Sequence, residues 1–393
     1  MSAIYAIGDV FDRLAEVPDG SVDLIVTSPP YLALRSYLPA DHPDKAREIG
    51  SERTPAEFLD VMLRLTAEWR RVLAPHGSIA IELGDTYAGS GGAGGDYAED
   101  GLRDGQPKFR QAQDKDAWPL PKSLTMIPEL FRVGLAYGVH PLTGEHSPAG
   151  RWRVRNVVRR VSPNPPPGAL GDKWRPATSE IVVACTSGKR YWDDVATRRP
   201  SVEAQRERSS KRRSVPGRKD WGMEDGSNPA GAPLNDWWEI ASSGYDGAHY
   251  ATFSPQLVEP FVKAMGPRRV CRTCGGPSRR QLDEPTYLDA GGLAVESERW
   301  RSGVADGMGA HSHKRTSLTR IDATIGWSDC GHGDFRPGLV LDPFAGTGTT
   351  LAVATGHGLD ALGFDLDERN ADLAVNRVGP LMLTVVGKGD PLP

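Results

Sequence analysis

The sequence predicts an α/β chain whose sheet is open and mostly parallel, with long loops inserted into it. Three observations point there. Short apolar runs alternate with stretches of helical spacing, beginning with residues 4–7 and then Val10, Leu14 and Val17. Several of those runs stop at polar residues suited to the carboxyl edge of a sheet, namely Gly8-Asp9, Thr27-Ser28, Gly84-Asp85 and Asp365. A glycine-rich turn, from Asp342 to Thr350, stands between a strand-like run and a helix-like one. Open α/β sheets bind their ligands at that edge.

The 393 residues leave room for one large α/β domain and one or two smaller modules. Charged residues make up 25% and hydrophobic ones 38%, an ordinary balance for a soluble protein. No stretch approaches the ~20 apolar residues of a membrane span. The opening Met1-Ser2-Ala3-Ile4 lacks the basic and apolar regions of a signal peptide. The four cysteines, Cys185, Cys271, Cys274 and Cys330, are too few for a disulfide scaffold at this length. A cytoplasmic protein without a membrane partner is expected. The 45 glycines and 32 prolines imply long irregular insertions.

The first strand, residues 4–7, ends in Gly8-Asp9, and a helix follows to Val17. Asp9 fits a helix N-cap and a ligand contact alike, and the two roles are compatible. The second strand, through Asp23-Leu24-Ile25-Val26, runs into Thr27-Ser28-Pro29-Pro30-Tyr31-Leu32. Proline has no N–H to donate to a ladder, so the strand must stop there. A hydroxyl, proline carbonyls and an aromatic ring are then presented together. This set has acceptors and a stacking face but no strong acid or base. It suits a planar, amino-bearing ring such as a nucleobase, and equally an ordinary Ser-Pro-Pro turn with a packing tyrosine. Thr54-Pro55-Ala56-Glu57 reads as an N-cap, a first-turn proline and a capping-box acid. The helix after it shows one apolar face through Phe58, Met62, Leu65, Trp69 and Leu73, and Pro75-His76-Gly77 ends it. A strand over residues 78–83 leads to Gly84-Asp85.

Residues 86–118 are glycine-rich and then mixed in charge; a loop this long is either a flap over substrate or an unordered insertion. A helix is expected over 124–136, and strands over 151–161 and 180–186; Cys185 in the last reads as an inert core thiol. A basic stretch carries Arg198, Arg199, Arg206, Arg208, Lys211, Arg212, Arg213, Arg218 and Lys219 against only Glu203 and Glu207. It has no apolar period. It is either a solvated face or a surface that neutralises phosphates. His249 to Pro255 then leads into a helix reaching about Met265.

Cys271-Arg272-Thr273-Cys274-Gly275-Gly276 is a knuckle whose partner comes later, in Cys330-Gly331-His332. Three thiols and an imidazole suit a tetrahedral structural zinc. His311 and His313 compete with His332 for the fourth place. A redox Cys-x-x-Cys is the rival reading, although the segment lacks a strand-to-helix setting. In the last quarter a strand over 338–341, the turn Asp342-Pro343-Phe344-Ala345-Gly346-Thr347-Gly348-Thr349-Thr350, a helix, and a strand ending in Asp365 form a nucleoside-binding arrangement. No lysine follows the glycines, so this is no Walker phosphate loop.

That turn resembles motif I of amino-group DNA methyltransferases, and Thr27 to Tyr31 resembles their motif IV. The catalytic motif precedes the cofactor motif, as in the beta arrangement. Gly8-Asp9 resembles motif III, Asp365 the ribose-binding acid of motif II, and residues 249–255 motif X. The likeness covers most of residues 1–192 and 240–378. It implies a Rossmann-like S-adenosylmethionine-dependent methyltransferase fold with a seven-stranded, mostly parallel sheet in permuted order. It implies a catalytic set of Ser28, Pro29, Pro30 and Tyr31. Cofactor contacts are implied at Asp9, Phe253, Asp342, Phe344, Gly346, Gly348, Thr349 and Asp365. Residues 1–192 and 336–393 become the two halves of the core, with 240–268 returning to it. Residues 193–239, where the basic run falls, match the family's target-recognition region and would meet double-stranded DNA. Residues 269–335 become an insert holding the zinc knuckle, with Cys271, Cys274, Cys330 and His332 as ligands. Val157-Val158-Arg159-Arg160 departs from the family's Trp-x-Lys.

The implied activity is site-specific methyl transfer to an exocyclic amino nitrogen of a flipped base. Ser28 opens the motif as in cytosine N4 enzymes, whereas adenine N6 enzymes usually carry aspartate there. Cytosine N4 is therefore expected, with adenine N6 as the alternative. A catalytically inactive, zinc-containing DNA-binding protein on the same scaffold, or an RNA or protein methyltransferase, are the other readings. A cognate restriction system is the expected biological partner.

Overall fold

The computed structural model of the chain describes residues 1–34, 36–39, 41–89, 116–165, 171–199, 232–241, 253–283, 286–288, 294–295, 319–321 and 324–393. They fall into two compact units. One comprises Met1–Trp192, Asp236–Pro277 and Asp334–Pro393; the other comprises Asp193–Asn235 and Ser278–Gly333.

The first unit opens with β1 (Ala3–Ile7), α1 (Val10–Glu16), β2 (Val22–Thr27), α2 (Pro55–Val72) and β3 (Leu73–Leu83). It continues through α3 (Ile127–Tyr137), β4 (Arg153–Val161), β5 (Thr178–Cys185), β6 (Trp237–Glu239), α4 (Pro255–Met265) and β7 (Arg269–Cys271). The second unit supplies β8 (Arg280–Leu282), β9 (Thr286–Leu288), β10 (Ala294–Val295), β11 (Thr319–Ile321) and β12 (Thr324–Trp327). The chain then re-enters the first unit as β13 (Phe335–Pro337), β14 (Leu339–Asp342), α5 (Thr349–Gly356), β15 (Asp360–Asp365), α6 (Ala371–Val378) and β16 (Leu383–Val386).

Nine strands of the first unit form one sheet in the order β16-β1-β15-β14-β2-β3-β5-β4-β6. The pairs from β16 to β3 are parallel; β5 runs antiparallel to both β3 and β4. Seven strands remain when the edge strands β16 and β6, of four and three residues, are set aside. Edges this short carry no readable alternation, which is why the sequence did not announce them. The decisive feature is the interleaving. β14 and β15, from the end of the chain, lie between β1 and β2, from its start. Asp23 pins that arrangement: fully buried in β2, it accepts the Leu339 N–H at 2.7 Å and pairs with Arg336 at 2.6 Å.

The helices follow their sequence signals with small offsets. Thr54 Oγ1 accepts the Glu57 N–H at 3.1 Å, and Glu57 Oε2 accepts the Thr54 N–H at 3.2 Å, so the capping box forms with Pro55 in the first turn. α3 starts at Ile127 rather than near 124, because Asp85 ties down the preceding turn. It accepts the Thr125 hydroxyl and, at 2.9 Å, the Met126 N–H. Pro75-His76-Gly77 does not separate α2 from β3. The strand begins at Leu73 and absorbs the turn as a register shift against β2.

In the second unit β9 pairs antiparallel with β10 and β11, and β8 with β12. Arg280 pairs with Asp193 at 2.9 Å and lies over the Trp327 ring. Among the described residues no helix is long and apolar enough to cross a membrane.

Candidate active site

The carboxyl ends of β1, β2, β14 and β15 open onto one cavity of about 450 Å³ in the first unit. Ser28, Pro29, Pro30 and Tyr31 all line it. So do seven of the eight cofactor positions implied by the sequence: Asp9, Phe253, Asp342, Phe344, Gly346, Thr349 and Asp365. Gly348 stands behind the wall as the N-cap of α5. Motifs more than 300 residues apart in sequence thus share one enclosure.

The glycine turn is held open from below. Asp342, buried at the end of β14, accepts the hydroxyls of Thr27 and Thr350, each at 2.6 Å, and the Phe344 N–H at 3.1 Å. Burial pushes its carboxyl up to about 6. Gly346 (φ 50°) and Gly348 (φ 75°) take the left-handed backbone that glycine tolerates at least cost. The Gly346 N–H donates to Asp365 Oδ2 at 2.8 Å, and its carbonyl accepts the buried Tyr5 hydroxyl at 2.8 Å. Asp365 Oδ1 accepts from the Asp367 N–H at 2.8 Å and from Asn370 at 3.1 Å. Burial raises this carboxyl to about 6 as well. Asp9 caps α1 by accepting the Phe11 N–H at 3.0 Å and faces Arg47 at 3.4 Å. It both caps a helix and lines the cavity. Its burial pushes the pKa up, against the pull of Arg47.

On the other wall Ser28 Oγ lies 3.4 Å from the Tyr31 hydroxyl. The Tyr31 ring packs directly against Gly84, where a Cβ would come within 2.4 Å of it. Gly84 is therefore required for space, not for backbone freedom. Three further polar residues at this end were not singled out from the sequence: Glu82, Ser179 and Arg160. Glu82 is buried at the end of β3. It accepts the Ser179 hydroxyl at 2.6 Å and is hydrogen-bonded to Ser28. Burial raises its pKa. A lone acid inside the apolar run Ile79-Ala80-Ile81-Glu82-Leu83 was a signal that could have found it. Arg160 stood out only as part of the stretch that departs from the family's Trp-x-Lys, and with four arginines on β4 nothing marked it as a site residue.

The remaining sequence-predicted residues lie away from this cavity. Cys271 and Cys274 lie in the first unit, and Cys330 and His332 in the second. All four cysteines are free thiols. Cys185 is buried, and burial raises its pKa, as suits an inert core thiol. Arg198 is paired with Asp194 at 2.8 Å, and the Arg199 backbone bonds to Ala232. Arg206, Arg208, Lys211, Arg212, Arg213, Arg218, Lys219, His311 and His313 lie outside the described residues, as do 90–115 and 249–252.

Comparisons with known proteins agree with this geometry. The model of the DNA methylase family matches residues 22–268 and 335–376. The type II methyltransferase M.XycI of Xanthomonas campestris pv. cyanopsidis is 28% identical over 258 residues, covering 65% of this chain and 70% of that protein. M.SmaI of Serratia marcescens is 23% identical over 378 residues, covering 95% and 89%. Among solved structures, the PvuII DNA methyltransferase, described as cytosine-N4-specific, is similar with a TM-score of 0.51 at 13% identity. That match covers 96% of this chain and 86% of the other, and at that identity the likeness is one of fold. The cavity, the order of its motifs and the family match together assign the chain to the amino-group (N6/N4) DNA methylase family, in its beta arrangement.

Proposed function

We propose that this chain methylates the exocyclic N4 amino group of cytosine at specific sites in double-stranded DNA, with S-adenosylmethionine as donor. The carrying observation is that the acceptor set at Ser28 to Tyr31 and the glycine turn with Asp365 line one cavity. The residues fit the cofactor. Asp365 can accept ribose hydroxyls, Gly346 lets backbone approach, and Phe344 and Phe253 offer apolar wall. When bound, the cofactor supplies an electrophilic sulfonium methyl group.

The amino nitrogen of a paired base is inaccessible, so the base must leave the duplex. Tyr31 stacks on its ring. Ser28 Oγ and the Pro29 carbonyl accept the amino hydrogens, which localises the nitrogen lone pair for attack. Transfer leaves the nitrogen with one proton too many. Ser28 is hydrogen-bonded to Glu82, whose buried carboxyl has a raised pKa and can accept that proton. Catalysis is then mostly positioning and electrostatics. Ser28, rather than an aspartate, favours cytosine.

Outside the cavity, the Cys271, Cys274, Cys330 and His332 donors suit a structural zinc. The basic run from Arg198 to Lys219 suits phosphate contacts, which position DNA without reading it. A cognate restriction enzyme is the natural partner of such an activity.

Mass analysis of nucleosides from DNA incubated with the purified protein and S-adenosylmethionine tests the reading. N4-methylcytosine is the expected product. N6-methyladenine alone overturns the base assignment. No modified base, together with no calorimetric signal for the cofactor, points to an inactive DNA-binding protein. Modification of RNA in preference to DNA overturns the substrate class.

A further inference from the structure

We propose that Arg160 reads the flipped base, donating an N–H to the ring carbonyl O2 that cytosine carries and adenine lacks. This rests on the cytosine reading above. Four neighbouring strands each bring one polar residue to the substrate end of the cavity: Ser28 follows β2, Glu82 lies on β3, Ser179 on β5 and Arg160 on β4. Arg160 and Ser179 are direct partners in the antiparallel ladder, and Ser179 donates to Glu82. The guanidinium is held from two directions. Its Nε donates to the Ile240 carbonyl at 3.3 Å, and Nη1 lies 3.9 Å from Glu82 Oε1. The side chain is 19% exposed, which places it in the cavity wall rather than in open solvent.

The need for such a group follows from the chemistry of the two bases. Cytosine and adenine both present an amino donor, so the acceptors Ser28 Oγ and Pro29 O cannot distinguish them. Both present a ring nitrogen acceptor beside it. Only the third position differs: cytosine offers a carbonyl oxygen, adenine a C–H. A site that selects cytosine therefore needs a donor aimed at that third position. Two permanent cations line the cavity among the described residues, Arg47 and Arg160. Arg47 is engaged at the cofactor end by Asp9 and Asp12. Arg160 stands with Ser28 and Glu82 at the substrate end, and a guanidinium offers donors only. A guanidinium facing the adenine C–H would lose water without gaining a partner, a mismatch on the order of 10- to 100-fold in kcat/KM.

The test uses duplexes that carry cytosine or adenine at the modified position, once methylation-sensitive sequencing has identified the site. Wild type, Arg160→Met and Arg160→Lys are compared by kcat and KM. Arg160→Met is expected to lower kcat/KM on cytosine by roughly tenfold or more without a matching fall on adenine, collapsing the preference. Arg160→Lys, which keeps a donor, restores part of it. Thermal midpoint and calorimetric cofactor affinity are measured alongside, since a merely structural loss moves them and lowers both bases together. Such a uniform loss, or a retained preference in Arg160→Met on a wild-type background that methylates cytosine, overturns this assignment alone. A wild-type enzyme confined to adenine overturns the cytosine reading and this assignment with it. The wild-type protein gives a check independent of variant folding. A 2-thiocytosine target, whose sulfur accepts poorly, is expected to react more slowly, and equal rates overturn the proposal.

Discussion

Gly84 and Asp365 show what single positions decide at this site. A Cβ at Gly84 would meet the Tyr31 ring at 2.4 Å, and the rest of the Ser28 to Tyr31 turn moves with that ring. Gly84→Ala is therefore expected to fold but to lose about 10²-fold in kcat/KM, the scale of a 1 Å misplacement, with cofactor affinity retained. Single-turnover kinetics beside calorimetry check both halves of that outcome. Asp365 gives a pH prediction. Its carboxyl is raised to about 6, so it is ionised at pH 7 and becomes protonated as pH falls through that value, losing acceptor capacity for ribose hydroxyls. Cofactor affinity should weaken between pH 7 and pH 5, and Asp365→Asn should bind weakly throughout with a flatter profile. A slope that persists in Asp365→Asn belongs to Asp342, which titrates in the same window beneath the turn. The sign for stability is opposite. A raised carboxyl binds its proton more tightly in the folded state, so its contribution falls as pH rises from 3.8 toward 6. Ser28-Pro29-Pro30-Tyr31 and the Asp342 turn were legible in the sequence because proline and glycine dictate their own backbone. The roles of Glu82 and Arg160 and the packing of Gly84 on Tyr31 were not, because they depend on the neighbouring strand, although Gly84-Asp85 was placed at the sheet edge from the sequence.

At the scale of elements, Asp23 joins the early and late parts of the sheet. It accepts from Leu339, pairs with Arg336 and faces His76 Nε2 at 2.9 Å. Burial alone would raise its carboxyl, but the His76 and Arg336 hydrogen bonds outweigh that and hold it below the usual 3.8. A lowered folded pKa gives stability that is present above the unfolded value and lost as pH falls through the folded one. Acid unfolding should therefore draw on Asp23 below about pH 4. Asp23→Ala strands the Arg336 guanidinium and the His76 ring beside a buried gap and should cost about 3–5 kcal/mol, read as a lower urea midpoint at an unchanged slope. In sequence Asp23 passed as one member of an apolar run, since nothing nearby names its partners 53 and 313 residues away. The capping box at Thr54 was legible because all its parts lie within one helical turn. Local chemistry was readable in advance, and cross-strand chemistry was not.

At the scale of the molecule, the interleaved sheet brings Thr27 and Asp342 into a 2.6 Å hydrogen bond across 315 residues of sequence. Periodicity could predict each half, but only the resemblance joined them. The cysteine and histidine donors pose the same problem of distance, with 55 residues between Cys274 and Cys330. Closing so long a loop has an entropic cost that the thiols alone do not repay, whereas a bound metal would. The protein purified without chelator should therefore carry one zinc per chain by elemental analysis. Cys274→Ser and Cys330→Ser should each lower that content and make residues 278–333 more sensitive to protease. None of the four donors lines the cavity, so calorimetric cofactor affinity should survive metal removal. A metal-free protein with a Cys271–Cys274 disulfide would instead favour the redox reading. Loss of cofactor binding on metal removal would mean that the donors support the methyltransferase core itself.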